Sequence, residues 1–502
     1  MFSKVLPFPR LTNSRSKSSK EKSDSNPFVS ISEQQRFLVH ALLVIFFLQS
    51  IIVAFNSPTA ATVALALAST SVLLLRAIPL VFPVKDFGWF HPLVFTSLFW
   101  ICRSFPSEAF KVYALFTYGP EVLGLSAHDS LVGTSADDLS WLSAYGALLT
   151  AVGLICYYLG FFFGPLIKLP RVYFKDALSG NFKFIAVVFF SLTVFLYFLW
   201  QRGGVEAHLL SWQAGRHQAL AGDGYLIHLI SLASVACLIW IAVDPLVYKR
   251  FLFWISATGS LGMKFIATGS RSQVIYWFFI GLLIWMFRQK QLRPSRVVGV
   301  LGFAVLLLGI LGGFRAGVVW RGEIEWDKLT DVSSAVTSVF GAAGLEGEIV
   351  TRGGRQNGLL PILAQAGNQV DFLLGKTYLD PLTIPIPRAL WAEKPRSVGA
   401  LVGETFFDYV TDFAIPPGAV GEAYWNFYVP GVVGVFFLFG IFHKALFFWY
   451  KEHSSYALAS MIYVVTLFIF NSPDTLSFVN WIYVVVPAII LLKIFKLAKL
   501  KV

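Results

Sequence analysis

Along this chain, long apolar runs alternate with short polar connections, and the runs exceed the length of an ordinary core helix. About 20 consecutive apolar residues let a helix cross a hydrocarbon core of about 30 Å. About twelve segments approach that length. They are residues 37–56, 61–83, 89–103, 140–163, 184–200, 224–243, 250–267, 273–288, 296–313, 427–450, 455–471 and 478–497. Each is expected to form a transmembrane helix. The third is short and holds Pro92, and the seventh carries Lys264 near its end. Residues 1–36 are rich in Ser, Lys and Pro (SRSKSSKEKSDSNP) and read as a disordered basic tail. The first long apolar run begins only at Phe37, which argues against a cleaved signal peptide.

Composition narrows the class. The chain has 502 residues, of which 56% are hydrophobic and 14% charged. Soluble domains carry roughly 25% charge. A core of this size could not cover itself with so little polar surface, so soluble, disordered and disulfide-rich classes are excluded. The three cysteines, Cys102, Cys156 and Cys237, lie in or beside apolar runs and give neither a disulfide framework nor a metal spacing. The net charge of +12 does not point to nucleic acid, because the basic residues sit in alternate short connections. Those connections hold Arg76 and Lys85, then Lys168, Arg171, Lys175 and Lys183, then Lys249 and Arg250. Residues 288–296, Lys444 with Lys451, and the final segment continue the series. The intervening connection 104–139 is acidic. By the positive-inside rule both termini are expected in the cytoplasm.

One connection breaks the pattern. Residues 314–426 are too long for a passive link, since structureless loops above about 15 residues are uncommon. They mix apolar patches with Arg, Lys, Asp, Glu and Trp, and predict a small, mostly helical external domain. The expected division is a tail at 1–36, spans at 37–313, a loop domain at 314–426, and spans with a basic end at 427–502.

No phosphate-binding glycine loop, HExxH, CxxC pair or dinucleotide fingerprint is present, so no cofactor or metal is expected. Charges near membrane depth are costly and therefore informative. Arg271, in the run GSRSQ at 269–273, falls on the outer side, where the positive-inside rule does not place it. Arg315 and Arg321 come next, at the outer end of the ninth span. Each reads either as a snorkelling turn arginine or as a cation fixed for an anionic substrate. The run at 385–396 is stiffened by Pro385, Pro387 and Pro395 and carries Arg388, Trp391, Lys394 and Arg396. It fits an anion site with an apolar wall, and equally an interfacial anchor. Glu404, Asp408 and Glu422 are candidate bases, and Glu422 fits a helix cap or an arginine partner as well. His208, His217 and His443 read as structural or exposed, with His217 a weak base candidate beside Arg216.

Three of these stretches carry a resemblance. GSRSQ at 269–273, PIPRALWAEKP at 385–395 and PGAVGEAYWNFYVPGVVGVFF at 417–437 resemble the bacterial O-antigen and exopolysaccharide repeat-unit polymerases, a Wzy-like family. The likeness covers roughly residues 250–450. It implies an all-α, GT-C-like polytopic membrane protein of the inner membrane, with its large loop in the periplasm. It implies a glycosyltransferase that joins oligosaccharide units carried on undecaprenyl diphosphate. The growing chain would leave its lipid diphosphate for a hydroxyl of the incoming unit. By the resemblance, Arg271, Arg315 and Arg388 would bind the diphosphate, with Lys394 and Arg396 beside them and Arg388 acting in catalysis. Enough converging cations would make the transfer metal-independent, with Glu422 or Glu404 as base. The implied partners are lipid-linked oligosaccharides, membrane lipid, a chain-length regulator and a flippase. A ligase on the same lipid carrier, or a transporter of lipid-linked sugars, are the competing readings.

Overall fold

The computed structural model describes positions 37, 40–41, 44, 47–48 and 51, then residues 59–81, 88–101, 131, 134–174 and 182–214. It further describes 220, 222–244, 246–289, 294–329, 331, 358–383, 386, 391, 393–407 and 414–501. The chain is predominantly helical. The helices are α1 (Ala60–Val81), α2 (Pro92–Ile101), α3 (Ala136–Phe163), α4 (Phe182–Gln201), α5 (Val205–Leu210), α6 (Gly224–Val243), α7 (Phe251–Thr268) and α8 (Arg271–Gln289). They continue with α9 (Pro294–Ala316), α10 (Leu359–Gln365), α11 (Lys376–Thr383), α12 (Val398–Phe406), α13 (Gly418–His453), α14 (Ala457–Ile469) and α15 (Thr475–Ile494). Among the described residues seven are long and apolar enough to cross a membrane: α1, α3, α4, α6, α7, α13 and α15. Shorter apolar stretches lie in α2, α8, α9 and α14.

Local chemistry sets the ends. Ser135 caps α3 by accepting from the Asp138 N–H at 3.1 Å, with Asp137 and Asp138 in the first turn where the helix dipole favours negative charge. Asp474 caps α15 through the Ser477 N–H at 2.7 Å. α7 ends at Gly269, whose φ of +61° closes the helix in the left-handed region. α9 runs past residue 313, where the external loop was expected to begin, and into a π-helical turn at Gly317–Arg321.

α13 and α3 approach each other closely at two glycines. A Cβ on Gly160 would overlap the Phe437 carbonyl, and one on Gly440 would overlap the Tyr157 carbonyl. Backbones come this near only where side chains are absent. α1 packs along α3, and the Tyr158 hydroxyl donates to Leu75 O at 2.7 Å. α6 is the central helix: 72% of its apolar stretch is buried, against 28% for α4 at the periphery. Both helices are strongly apolar, so the contrast comes from their places in the bundle rather than from their composition. Trp240 of α6 stacks on Phe184 of α4 with centroids 5.3 Å apart.

Apolar periodicity gives no sign of a two-stranded ribbon. β1 (Arg171–Phe174) pairs antiparallel with β2 (Ala498–Lys501), Val172 opposite Leu500. Beside it the Trp449 indole donates to Pro170 O at 3.0 Å, and Lys183 donates to Phe495 O at 3.4 Å. The ends of α3, α13 and α15 and the start of α4 therefore share one face. Arg171 and Lys499 belong to the two strands, and Lys183 and Lys451 to the adjoining helix ends.

Candidate functional site

The opposite ends of the helices hold the predicted site residues. Arg271 is the first residue of α8, one residue beyond the sharp corner that closes α7. That corner is tied by side chains: Ser270 N–H donates to Thr268 Oγ1 at 3.3 Å, and Gln273 N–H to Ser270 Oγ at 3.4 Å. The Trp212 ring lies 3.1 Å from where a Cβ on Gly269 would stand. Glycine is thus favoured there twice, for its φ and for the closeness of the indole. His208 backs the same corner, fully buried, with Nε2 2.9 Å from Ile266 O. Burial holds its imidazole below the usual histidine range.

Arg271 reaches across to α9. Its guanidinium fills the space that a Cβ on Gly312 would need. The half-buried Arg315, one turn on, lies close enough to feel the Arg271 charge. Arg321 turns away to an ion pair with Glu325 at 3.4 Å. The structure therefore brings Arg271 and Arg315 together and gives Arg321 a different partner.

A second group surrounds the break in α13. Phe427 and Tyr428 leave helical geometry, and Tyr428 has φ of +58°, a strained value for a side chain of that size. Pro430 lacks the N–H that would have bonded Asn426 O. That carbonyl accepts instead from Leu374 N–H at 3.1 Å, and Trp425 O from Leu373 N–H at 3.0 Å. The segment leading into α11 thus docks on the unsatisfied backbone of the helix. Asn426 tightens the joint: its Nδ2 donates to Thr377 Oγ1 at 2.8 Å, and its Oδ1 accepts from Gly375 N–H at 2.9 Å.

Glu422 is completely buried one turn earlier. Thr475 N–H donates to its Oε2 at 2.9 Å, and the Thr475 hydroxyl donates to Oε1. Of its possible roles, Glu422 takes the capping arrangement, across helices, onto the first residue of α15. Glu404 in α12 is ion-paired with Arg396 just before that helix. Lys394 donates to Ile386 O at 3.1 Å. Trp391 is exposed, and Arg388, Asp408 and His217 lie outside the described residues. His443 sits deep in α13, with its Nδ1 2.8 Å from the Tyr157 hydroxyl.

Sequence reasoning noted Lys264 only as a weakness of its span, and passed over Asp380. Lys264 is buried in α7 and donates to the Ser231 hydroxyl of α6. A lysine in an apolar helix was the available signal. Asp380, in the short helix α11, faces the charge of Lys394. No pattern at KTYLDPLT marks it. No protein-family model, curated protein or solved structure matches the chain.

Proposed function

We propose that this chain is a membrane glycosyltransferase that polymerises oligosaccharide repeat units carried on undecaprenyl diphosphate, in the manner of the Wzy-like family it resembles. The observation that carries the reading is the juxtaposition of Arg271 and Arg315 at the end of the bundle away from the ribbon. Two guanidiniums held together repel, and a diphosphate between them turns that cost into attraction. Arginine offers paired donors to phosphate oxygens. Fixed cations also stabilise the charge that grows on the leaving diphosphate as the anomeric bond breaks. The acceptor hydroxyl attacks the anomeric carbon, the lipid diphosphate departs with the bonding electrons, and a carboxylate takes the hydroxyl proton. Arg388, Lys394 and Arg396 complete the cation set, and the transfer is metal-independent.

The ribbon supports the topology. β1 and β2 lie on one face, and α4, α6, α7, α13 and α15 intervene among the long helices. An odd number of crossings would separate the strands. With an odd number of the shorter helices α8, α9 and α14 crossing as well, the strands meet on one face, and twelve spans in all agree with this count. The basic residues at the ribbon face are what the positive-inside rule expects of a cytoplasmic face. The α10–α12 segment then faces the periplasm of an inner membrane, both termini are cytoplasmic, and a chain-length regulator and a flippase are the expected companions. A deletion strain distinguishes the rivals. Polymerase loss leaves single repeat units on the lipid; ligase loss leaves long polymer there; transporter loss leaves units on the cytoplasmic side.

A further inference from the structure

A repeat-unit polymerase needs a base for its acceptor hydroxyl. A useful base must have an acceptor atom free to take that proton. Among the described residues, several carboxylates at this end of the bundle are already engaged. Glu422 accepts from Thr475, Glu404 pairs with Arg396, Asp474 caps α15, and Asp223 pairs with Arg202. Two buried carboxylate oxygens lack a hydrogen-bond partner among the described residues: Glu325 Oε2 and Asp380 Oδ2. Glu325 holds Arg321 through its other oxygen, which satisfies its charge and weakens it as a base. Asp380 has no ion pair within salt-bridge distance among the described residues.

Resting on the polymerase reading, we infer that Asp380 is the group that receives the acceptor hydroxyl proton, and that Glu422 is the pin that holds its helix. α11 carries Asp380, and its Thr377 is fastened to Asn426 of α13 beside the Glu422–Thr475 contact. Among the described residues, the charge felt by Asp380 is that of Lys394, a member of the proposed diphosphate set. Glu422 and Asp474 face Tyr378 instead, two residues away and so on the other side of the helix. A cation of the proposed diphosphate set therefore lies near enough to Asp380 for its charge to be felt there. The hydroxyl oxygen bonds to the anomeric carbon, the bond from that carbon to diphosphate breaks, and the proton passes to the Asp380 carboxylate. Burial pushes that carboxyl up to about 6, against the pull of Lys394. A base near neutrality is suited to the task.

The test uses full-length protein in lipid and undecaprenyl-diphosphate-linked repeat units extracted from the producing cells. Asp380→Asn is expected to slow extension by about 100-fold or more through kcat, with KM and melting temperature close to wild type. Asp380→Ala is expected to regain part of its rate with added formate. The wild-type rate is expected to fall as pH drops below about 6. Asp380→Asn extending within about threefold of wild type, below the 100-fold scale of a lost base, would overturn the assignment while leaving the polymerase reading intact. Wild-type protein that is folded yet extends nothing would overturn the reading itself, and the base with it.

Discussion

The Arg271 guanidinium occupies the place of a side chain at Gly312. The glycine gives the arginine room to lie against α9 one turn from Arg315. A methyl group there must displace the guanidinium, because the contact is with the far end of a flexible side chain rather than with backbone.

Gly312→Ala should therefore leave the fold intact and move the cation. Small misplacements of a catalytic or binding group cost up to about 100-fold in rate. The expected result is a loss of about 10- to 100-fold in kcat/KM for chain extension, with a melting temperature within a few degrees of wild type. Extension assays on purified protein beside a thermal melt check both halves.

Glu422 behaves oppositely. Glu422→Ala leaves the Thr475 N–H buried without its acceptor and should cost about 2–4 kcal/mol. Glu422→Gln keeps an acceptor and should cost less than about 1 kcal/mol. Chemical denaturation of the two variants in detergent separates this pinning role from a catalytic one, because Gln also preserves extension.

The ribbon makes a covalent prediction. Val172 and Leu500 are cross-strand partners. In a background lacking Cys102, Cys156 and Cys237, Val172→Cys with Leu500→Cys should form an intrachain disulfide on mild oxidation. Each single cysteine should react with thiol reagents only from the cytoplasmic side. Labelling of one from outside would refute the parity of crossings.

His208 sets an acid limit. Its folded pKa lies below the unfolded value of about 6.5, so the native state holds it neutral where the unfolded chain would protonate it. Its contribution to stability is full above about 6.5 and is lost as pH falls from there toward the folded value. Melting temperature should decline over that window. His208→Gln should flatten the decline.

Much of the helical frame was legible because apolar length is a direct physical demand. Seven of the expected segments coincide with helices long enough to cross a membrane. Ends were less legible: α3 begins at Ala136, four residues before its apolar run, because Ser135 caps it there. The ribbon was invisible because Arg171–Phe174 and Ala498–Lys501 are four residues each, too short for an alternation such as AKLK to stand out from chance. At the site, GSRSQ announced Arg271 as unusual, while its partner Gly312 is a contact between residues about forty apart that no local pattern encodes. Glu422 was noticed as an acid near a span. Its commitment to Thr475 depends on how α13 breaks at Phe427 and brings the start of α15 alongside.

The central claim is that this chain lengthens lipid-linked sugars by itself and without a metal. The most direct measurement is reconstitution of purified protein with undecaprenyl-diphosphate-linked repeat units in EDTA, followed by sizing of the lipid-linked products. The account predicts a ladder of longer species whose spacing is one repeat unit. Single units left unchanged by protein shown to be folded would contradict it.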